Sequence, residues 1–132
     1  MAKKVLKVTA AIIRDGDKLL LCQRPKEKSC GLLWEFPGGK IEPNETPEQC
    51  IARECMEELN IKLENVKYFC KTDYEYPDKV IELLFFNATI ENKESMEVKE
   101  HNRVAWVTPS ELTDYSLCPS DAKMVREYSD NL

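Results

Sequence analysis

Three glutamates lie close together in the segment RECMEEL, which runs from Arg53 to Leu59. Glu54, Glu57 and Glu58 are spaced i, i+3 and i+4, so on an α-helix their side chains leave neighbouring positions of one face. Like charges at these spacings repel each other, and acids near a helix C-terminus also oppose the helix dipole. A divalent cation such as Mg²⁺ or Mn²⁺ removes this conflict, because it takes hard oxygen ligands. The pattern predicts a metal site, with a solvated helix face as the alternative.

The residues before the glutamates predict the helix that would carry them, over residues 46–59. Thr46 can cap the first amides, Pro47 suits the first helical position, and Gln49 can complete a capping box. Asn60 tolerates the left-handed conformation that commonly ends a helix. The residues predicted to face the core at helical spacing are Ile51, Ala52, Cys55, Met56 and Leu59.

A glycine pair upstream of this helix belongs to the same candidate site. Gly38 and Gly39 have no Cβ, so the backbone there can approach a metal ion or a phosphate group closely. Glu45 adds a fourth acid immediately before the helix. We therefore expect the loop and the helix to form one constellation.

The remaining elements are predicted from hydrophobic alternation and turn residues. Two strands around the Asp15–Asp17 turn and a second pair around Pro77-Asp78 indicate two β-hairpins, with strands at residues 5–13, 18–24, 66–76 and 80–90. Between them, residues 25–36 are predicted as a long loop and residues 37–39 as a break in regular structure.

The C-terminal third completes a mixed α/β fold. Residues 91–102 form a polar connection, residues 103–107 a short strand, and residues 120–128 a final helix. Thr108 to Glu111 has the form of a capping box. Without repeats or linkers in the sequence, we expect one domain over residues 1–132.

The composition of the 132 residues suits a globular protein, with 42% hydrophobic and 33% charged residues. A net charge of −5 argues against a nucleic-acid polymer as partner.

Residues 1–8 do not resemble a signal peptide and no segment is long and apolar enough to span a membrane, so a cytoplasmic protein is expected. The six cysteines show no CxxC pair and are predicted to be small apolar residues. The pattern leaves monomer and homodimer open.

The segment GKIEPNETPEQCIARECMEELNI, residues 39–61, resembles the Nudix box, G-x5-E-x7-R-E-U-x-E-E-x-G-U, where U is a bulky aliphatic residue. Cys55 replaces an aliphatic residue and Asn60 replaces the usual glycine; neither change removes an acid. The segments WEFPGGK, YEYPD and AAIIRDGDKLLLCQR resemble the MutT branch of the family. The resemblance implies an α+β fold, an α/β/α sandwich around a mixed β-sheet.

The resemblance also implies roles for the acids. Glu54, Glu57 and Glu58, with the Gly38 carbonyl, would hold Mg²⁺, with Mn²⁺ possible. Of these, Glu54 most resembles both a metal ligand and the group that orients or deprotonates the water. A further acid, Glu100, would act as ligand or base, and which glutamate is the general base stays open. Arg53 would pair with Glu45 or a cluster glutamate and orient it; the alternative is an exposed cation paired with Glu57.

Residues for substrate binding follow from the same resemblance. Arg24 and Lys40 would contact phosphates, or be ordinary surface charges. Tyr76, with Tyr74, would stack on a base, or only pack. Asp121 matches a position that reads the base, where the oxidised-guanine enzyme has asparagine and the CTP-type relative has aspartate. An ionised aspartate accepts from an amino group such as cytosine N4; alternatively Asp121 only begins the last helix.

Three other polar or aromatic residues are assigned no part in the chemistry. His101 is predicted to be a solvated loop residue, and Trp34 and Trp106 to be packing residues.

The function implied is that of a Mg²⁺-dependent pyrophosphohydrolase, converting a nucleoside triphosphate and water to the monophosphate and pyrophosphate. Oxidised or modified nucleotides such as 8-oxo-dGTP are the expected substrates, and CTP or 5-methyl-dCTP the first alternative. An ADP-ribose pyrophosphatase would share the same metal cluster. A nucleotide sensor without catalysis would usually lack some of the acids, and here all are present.

Overall fold

Strand β1 (Lys4–Asp15) runs through the middle of a seven-stranded mixed sheet. The other strands are β2 (Lys18–Gln23), β3 (Trp34–Glu35), β4 (Gly38–Lys40), β5 (Leu63–Glu75), β6 (Lys79–Ile90) and β7 (Arg103–Val107). The main order is β3-β2-β1-β6-β5, with β4 paired to β1 and β7 paired to β2. The computed structural model describes residues 3–132; Met1 and Ala2, part of the stretch considered for a signal peptide, lie outside the described residues.

Two α-helices cover the sheet, α1 (Pro47–Leu59) and α2 (Pro119–Tyr128). Short 3-10 helices occupy Lys93–Ser95, Pro109–Asp114 and Ser129–Asn131. The capping box at Thr108 is present and begins the second of these 3-10 helices. Among residues 3–132, no helix has both the length and the apolar character needed to cross a membrane.

The core consists of two hydrophobic clusters, one on each face of the sheet. Alternate side chains of β1 point to opposite faces. Ala10 and Ile12 belong to a cluster that includes Met124 of α2. Ala11 and Ile13 belong to the other cluster, which α1 supplies with Ile51, Cys55 and Leu59. The predicted α/β/α sandwich around a mixed sheet is confirmed.

The predicted hairpins are present, but β1 makes its longest pairing elsewhere. β5 and β6 form an extended antiparallel ladder, whereas β1 and β2 pair only through Arg14–Leu19 and Asp15–Lys18. β1 pairs in parallel with β6, from Lys4 with Lys79 to Ile13 with Ala88. This long-range pairing holds the two halves of the sheet together.

The prediction that residues 37–39 break regular structure is wrong. Gly38–Lys40 is strand β4, which pairs antiparallel with Val8–Ala10 of β1. Glycine keeps both backbone hydrogen-bonding groups, and the absence of a Cβ at Gly38 lets it lie against the backbone of Thr9. The predicted loop over residues 25–36 also contains a short strand, β3, which pairs with Cys22 and Gln23.

The predicted apolar face of α1 is correct in part. Ile51, Cys55 and Leu59 are buried, but Ala52 and Met56 are exposed. The buried stripe is rotated toward β4 and β1, so it takes in Cys50 and Glu58 instead.

The cysteine and tryptophan predictions are confirmed. All six cysteines, which lie within residues 3–132, are free thiols, and five of them are buried. Trp34 belongs to the first core cluster, and Trp106 packs against the second.

Candidate active site

The helix that carries the glutamates begins and ends as its sequence predicts. The Thr46 hydroxyl accepts a hydrogen bond from the Gln49 amide at 3.1 Å, and the Gln49 side chain accepts one from the Thr46 amide at 2.9 Å. Asn60 adopts the left-handed conformation, with φ 53° and ψ 43°, and its amide bonds to the Met56 carbonyl. Capping at both ends defines the turn on which each glutamate lies.

Arg53 is the centre of an ion-pair network on this helix. Its guanidinium donates to both oxygens of Glu45, at 2.7 and 3.0 Å, and to Oε1 of Glu54 at 2.9 Å. It also contacts Glu57 at 3.2 Å. The hydrogen bonds from Arg53 are the main reason that the pKa of Glu45 falls to about 2. The predicted pairing of Arg53 with Glu45 is present, and the orientation of Glu54 depends on the same guanidinium.

Glu54 lies directly against strand β4. A Cβ built on Gly39 would lie 2.6 Å from both carboxylate oxygens of Glu54, which is too close for a real contact. Gly39 therefore leaves the space that the Glu54 carboxylate fills. Cys50, one turn earlier, has its thiol within hydrogen-bond distance of the Gly39 carbonyl and so helps to hold α1 against β4.

Glu58 is buried, with 6% of its side chain exposed. Burial is the largest cause that raises the pKa of its carboxyl group well above the ordinary value, followed by Glu54, Glu35 and Glu100. Burial of a carboxyl group beside other acids is unfavourable unless a cation or a proton compensates it. Glu54 and Glu58 thus form a pair of neighbouring acids that suits a positively charged ligand.

The oxygen donors for a divalent cation are present, although the carboxylates do not surround one common point. Within residues 3–132, no three histidine, cysteine, aspartate or glutamate side chains are arranged to hold a metal ion as they stand. The Arg53 guanidinium pairs with Glu54 at 2.9 Å and with Glu57 at 3.2 Å. Hard oxygen donors and uncompensated negative charge fit Mg²⁺ or Mn²⁺.

The predicted acid Glu100 lies beside the end of α1, although its own side chain is exposed. The Lys99 amide donates to the Glu58 carbonyl at 3.0 Å, and the Glu97 amide donates to the Leu59 carbonyl at 2.9 Å. These bonds tie the connection before β7 to α1. Glu100 is near enough to Glu58 to contribute to the raised pKa of that group.

A cavity of about 550 Å³ adjoins the glycine strand. The four residues predicted to contact substrate, Arg24, Lys40, Tyr76 and Asp121, all line it. Gly38 and Gly39 line it as well, whereas the three helix glutamates do not. Strand β4 therefore separates the cavity from the carboxylate cluster and contacts both, and a ligand in the cavity could extend its phosphates across β4.

Asp121 lines this cavity and is buried. One of its oxygens accepts a hydrogen bond from the Phe36 amide at 2.9 Å, and the Ser120 hydroxyl is 3.3 Å from the other. Burial, followed by the charge of Glu35, raises the pKa of Asp121 to about 7. Asp121 therefore changes protonation near neutral pH, and with it the kind of hydrogen bond it can offer a ligand.

The buried position of Asp121 predicts a pH-dependent gain in stability for Asp121→Asn. Between pH about 4 and about 7 the unfolded state loses the Asp121 proton while the folded state retains it, so stability falls as pH rises. Asparagine removes this loss. We expect the variant to be more stable than wild type at pH 8, by up to about 4 kcal/mol, and nearly equal to it at pH 4.

Urea unfolding of both proteins at pH 4 and pH 8 measures this difference. Asp114→Asn, at an exposed aspartate, is the matched control and should show no such change. A difference between Asp121→Asn and wild type that is the same at both pH values would contradict the prediction.

Glu35 is a site residue that the sequence reasoning missed. One of its oxygens pairs with Arg24 at 3.1 Å and the other with His101 at 3.0 Å, so it joins the cavity to the connection before β7. Its place within WEFPGGK, three residues before Gly38, was the available signal. Other cavity residues that were missed include Lys28, Cys30, Phe36, Lys79, Cys118 and Ser120.

The prediction that His101 is a solvated loop residue is wrong. Only 5% of its side chain is exposed, and the ring lies between Glu35 and Glu58. Its neighbours in sequence are polar, which conceals a burial that arises from contacts with distant parts of the chain.

Comparisons with known proteins agree with this architecture. The model of the NUDIX domain matches residues 3–128. The chain is 34% identical to the CTP pyrophosphohydrolase of Escherichia coli K12 over 125 residues, which is 95% of this chain and 92% of the relative. It is 40% identical to the 8-oxo-dGTP diphosphatase of Proteus vulgaris over 105 residues, 79% of this chain and 94% of that protein.

Solved structures show the same fold. The solution structure of the E. coli ORF135 protein has a TM-score of 0.83 and 33% identity, covering 97% of this chain and 91% of that one. The MutT NUDIX hydrolase of Burkholderia pseudomallei also has a TM-score of 0.83, at 22% identity, covering 94% and 98% of the two chains.

Proposed function

The chain belongs to the Nudix hydrolase family, and from that premise we propose that it converts nucleoside triphosphates to monophosphates and pyrophosphate. Relatives named 8-oxo-dGTP diphosphatase and CTP pyrophosphohydrolase support this reaction class. The observation that carries the proposal is the cavity next to the carboxylate helix, with only the glycine strand between them. A nucleoside in the cavity would direct its phosphates across β4 toward the acids.

We propose Mg²⁺ as the metal, since Nudix hydrolases generally use a divalent metal. Glu54, Glu57 and Glu58, with the Gly38 carbonyl and Glu100, are the residues that would hold it. A bound divalent cation shields the charge of the triphosphate and makes water more acidic.

Side chains of the protein would bind the phosphates and the base and would move the proton. Arg24 and Lys40 line the cavity and attract the phosphates. Arg53 fixes the Glu54 carboxylate through a 2.9 Å hydrogen bond, and Glu45 fixes Arg53 in turn. Glu54 then orients the attacking water and accepts its proton at a carboxylate oxygen. Tyr76 lines the cavity, with its hydroxyl 3.4 Å from the Ser120 hydroxyl, and its ring can pack against a base.

Oxidised or modified nucleotides such as 8-oxo-dGTP are the proposed substrates. A protonated Asp121 can donate a hydrogen bond to a carbonyl oxygen or ring nitrogen of a purine. The pKa of about 7 makes this protonated form available at neutral pH.

The same residue favours one second candidate, a cytosine nucleotide such as CTP or 5-methyl-dCTP. When ionised, Asp121 can only accept, which suits the amino group of cytosine. The two candidates therefore differ in the protonation state of Asp121 that they require.

A substrate panel tests the proposal. Turnover with Mg²⁺ is measured for 8-oxo-dGTP, dGTP, CTP, 5-methyl-dCTP and ADP-ribose, following pyrophosphate for the triphosphates and AMP for ADP-ribose. We expect the highest kcat/KM with 8-oxo-dGTP. Preference for the cytosine nucleotides would establish the second candidate. Hydrolysis of ADP-ribose alone, or nucleotide binding without turnover, would contradict both.

A further inference from the structure

We infer that His101 is a positioning residue that holds the Glu58 carboxylate in the orientation needed for a divalent cation, from its place between Glu58 and Glu35. This inference rests on the proposed function, because it assigns His101 a part in the metal site of that reaction. It is drawn from the position of one buried imidazole between two acids. His101 itself is not proposed as a ligand or a general base.

The ring lies within reach of both acids through one nitrogen. Nε2 is 3.0 Å from Oε2 of Glu35 and 3.6 Å from Oε1 of Glu58. Because a carboxylate accepts hydrogen bonds, Glu35 favours the tautomer with an N–H at Nε2, and this N–H lies next to Oε1 of Glu58. At 3.6 Å the Glu58 oxygen is too far for a hydrogen bond, so the ring acts on Glu58 through the charge distribution of the N–H group and through the space it fills.

Glu58 has few other partners. Arg53 pairs with Glu42, Glu45, Glu54 and Glu57, but not with Glu58. In the part of the chain that the structure describes, His101 is the one basic side chain within 4 Å of the Glu58 carboxylate. Its other side-chain neighbour is Glu54, which is itself an acid, so without the imidazole the buried Glu58 carboxylate has no basic partner within 4 Å among residues 3–132.

The backbone on either side of His101 is anchored to two different elements. The Lys99 amide donates to the Glu58 carbonyl at the end of α1, and the Asn102 amide donates to the Gln23 carbonyl of β2 at 2.9 Å. The Asn102 side chain also donates to the Gln23 side chain at 2.6 Å. The ring is thus held in place by bonds that do not depend on the carboxylates.

One nitrogen of the imidazole lowers the stability of the fold. His101 Nδ1 is buried and has no hydrogen-bond partner among residues 3–132, which costs free energy. An apolar ring of similar size would avoid that cost, but it would remove the hydrogen bond to Glu35 and the N–H next to Glu58. The useful property of histidine here is the Nε2–H group between Glu35 and Glu58. Residues that do not bind a metal themselves commonly orient its carboxylate ligands in this way.

Metal binding without substrate provides the test. Free Mn²⁺ is measured by electron paramagnetic resonance during titration of wild type, His101→Gln, His101→Asn and His101→Leu. Glutamine places an amide N–H near the position of Nε2, whereas asparagine carries the same group too short to reach, so these two variants form a matched pair. Thermal unfolding checks that each variant is folded.

We expect His101→Leu and His101→Asn to raise the Mn²⁺ dissociation constant about tenfold or more, and His101→Gln to stay within about threefold of wild type. The inference would be overturned if His101→Asn and His101→Leu bind Mn²⁺ with the same dissociation constant as wild type. It would also be overturned if His101→Gln binds Mn²⁺ as weakly as His101→Leu. If wild type itself binds no Mn²⁺, the proposed function fails instead, and the two failures are thereby distinguished.

Discussion

Glu54→Gln should reduce kcat for pyrophosphate release by about 10² to 10⁴, with the fold unchanged. The amide cannot accept a proton from water, and it is a poorer ligand for a hard cation. The variant retains the size of the side chain and a carbonyl oxygen for the hydrogen bond from Arg53. The folded state should not suffer, because the substitution also removes repulsion between Glu54 and the buried Glu58.

Glu48→Gln is the matched control, because Glu48 lies on the same helix, is exposed and is not among the acids that pair with Arg53. It should retain wild-type kcat. Both variants are assayed with saturating Mg²⁺ and the best substrate of the panel, and circular dichroism checks their helix content. Near wild-type turnover by a folded Glu54→Gln enzyme would remove Glu54 from the mechanism.

Gly39→Ala should reduce kcat strongly, by about 10² or more, while leaving the protein folded. The new methyl group would lie 2.6 Å from the Glu54 oxygens, so the flexible end of Glu54 must move. Moving a side chain end costs little stability, but it takes the carboxylate out of place. The damage is therefore expected in catalysis.

Gly38→Ala is the variant to compare with Gly39→Ala, because it makes the same change one residue earlier in β4. There the methyl group would meet the backbone of Thr9 and would lie 2.9 Å from the Ala10 Cα, so β4 must separate from β1. We expect a large loss in Tm for Gly38→Ala and a small one for Gly39→Ala. Equal losses of Tm, or full activity of Gly39→Ala, would contradict the argument.

The helix and its acids could be predicted from sequence because the signals are local. The capping box at Thr46 and the left-handed Asn60 lie at the two ends of the segment they delimit, and the spacing of the glutamates lies within it. Strand pairs β1–β2 and β5–β6 were predicted for the same reason, since each needs only a turn between alternating segments.

What could not be predicted depends on contacts between distant segments. The parallel pairing of β1 with β6 has no signal in the sequence near either strand. The composition of Gly38–Lys40 indicates a turn, although its pairing with β1 makes it a strand. The burial of His101 depends on Glu35 and Glu58, which are far from it in sequence. Burial of Glu58 also runs against the usual exposure of glutamate, so no hydrophobic pattern could locate it.

The parallel pairing of β1 with β6 also determines when the enzyme can become active as it is synthesised. Lys4–Ile13 must wait for Lys79–Ala88, and the whole of α1 lies in the intervening chain. Closing so long a loop carries an entropic cost that slows folding, typically to milliseconds or longer. On the ribosome the catalytic helix emerges long before the strand that completes the sheet beneath it, so the active site is assembled only at a late stage of folding.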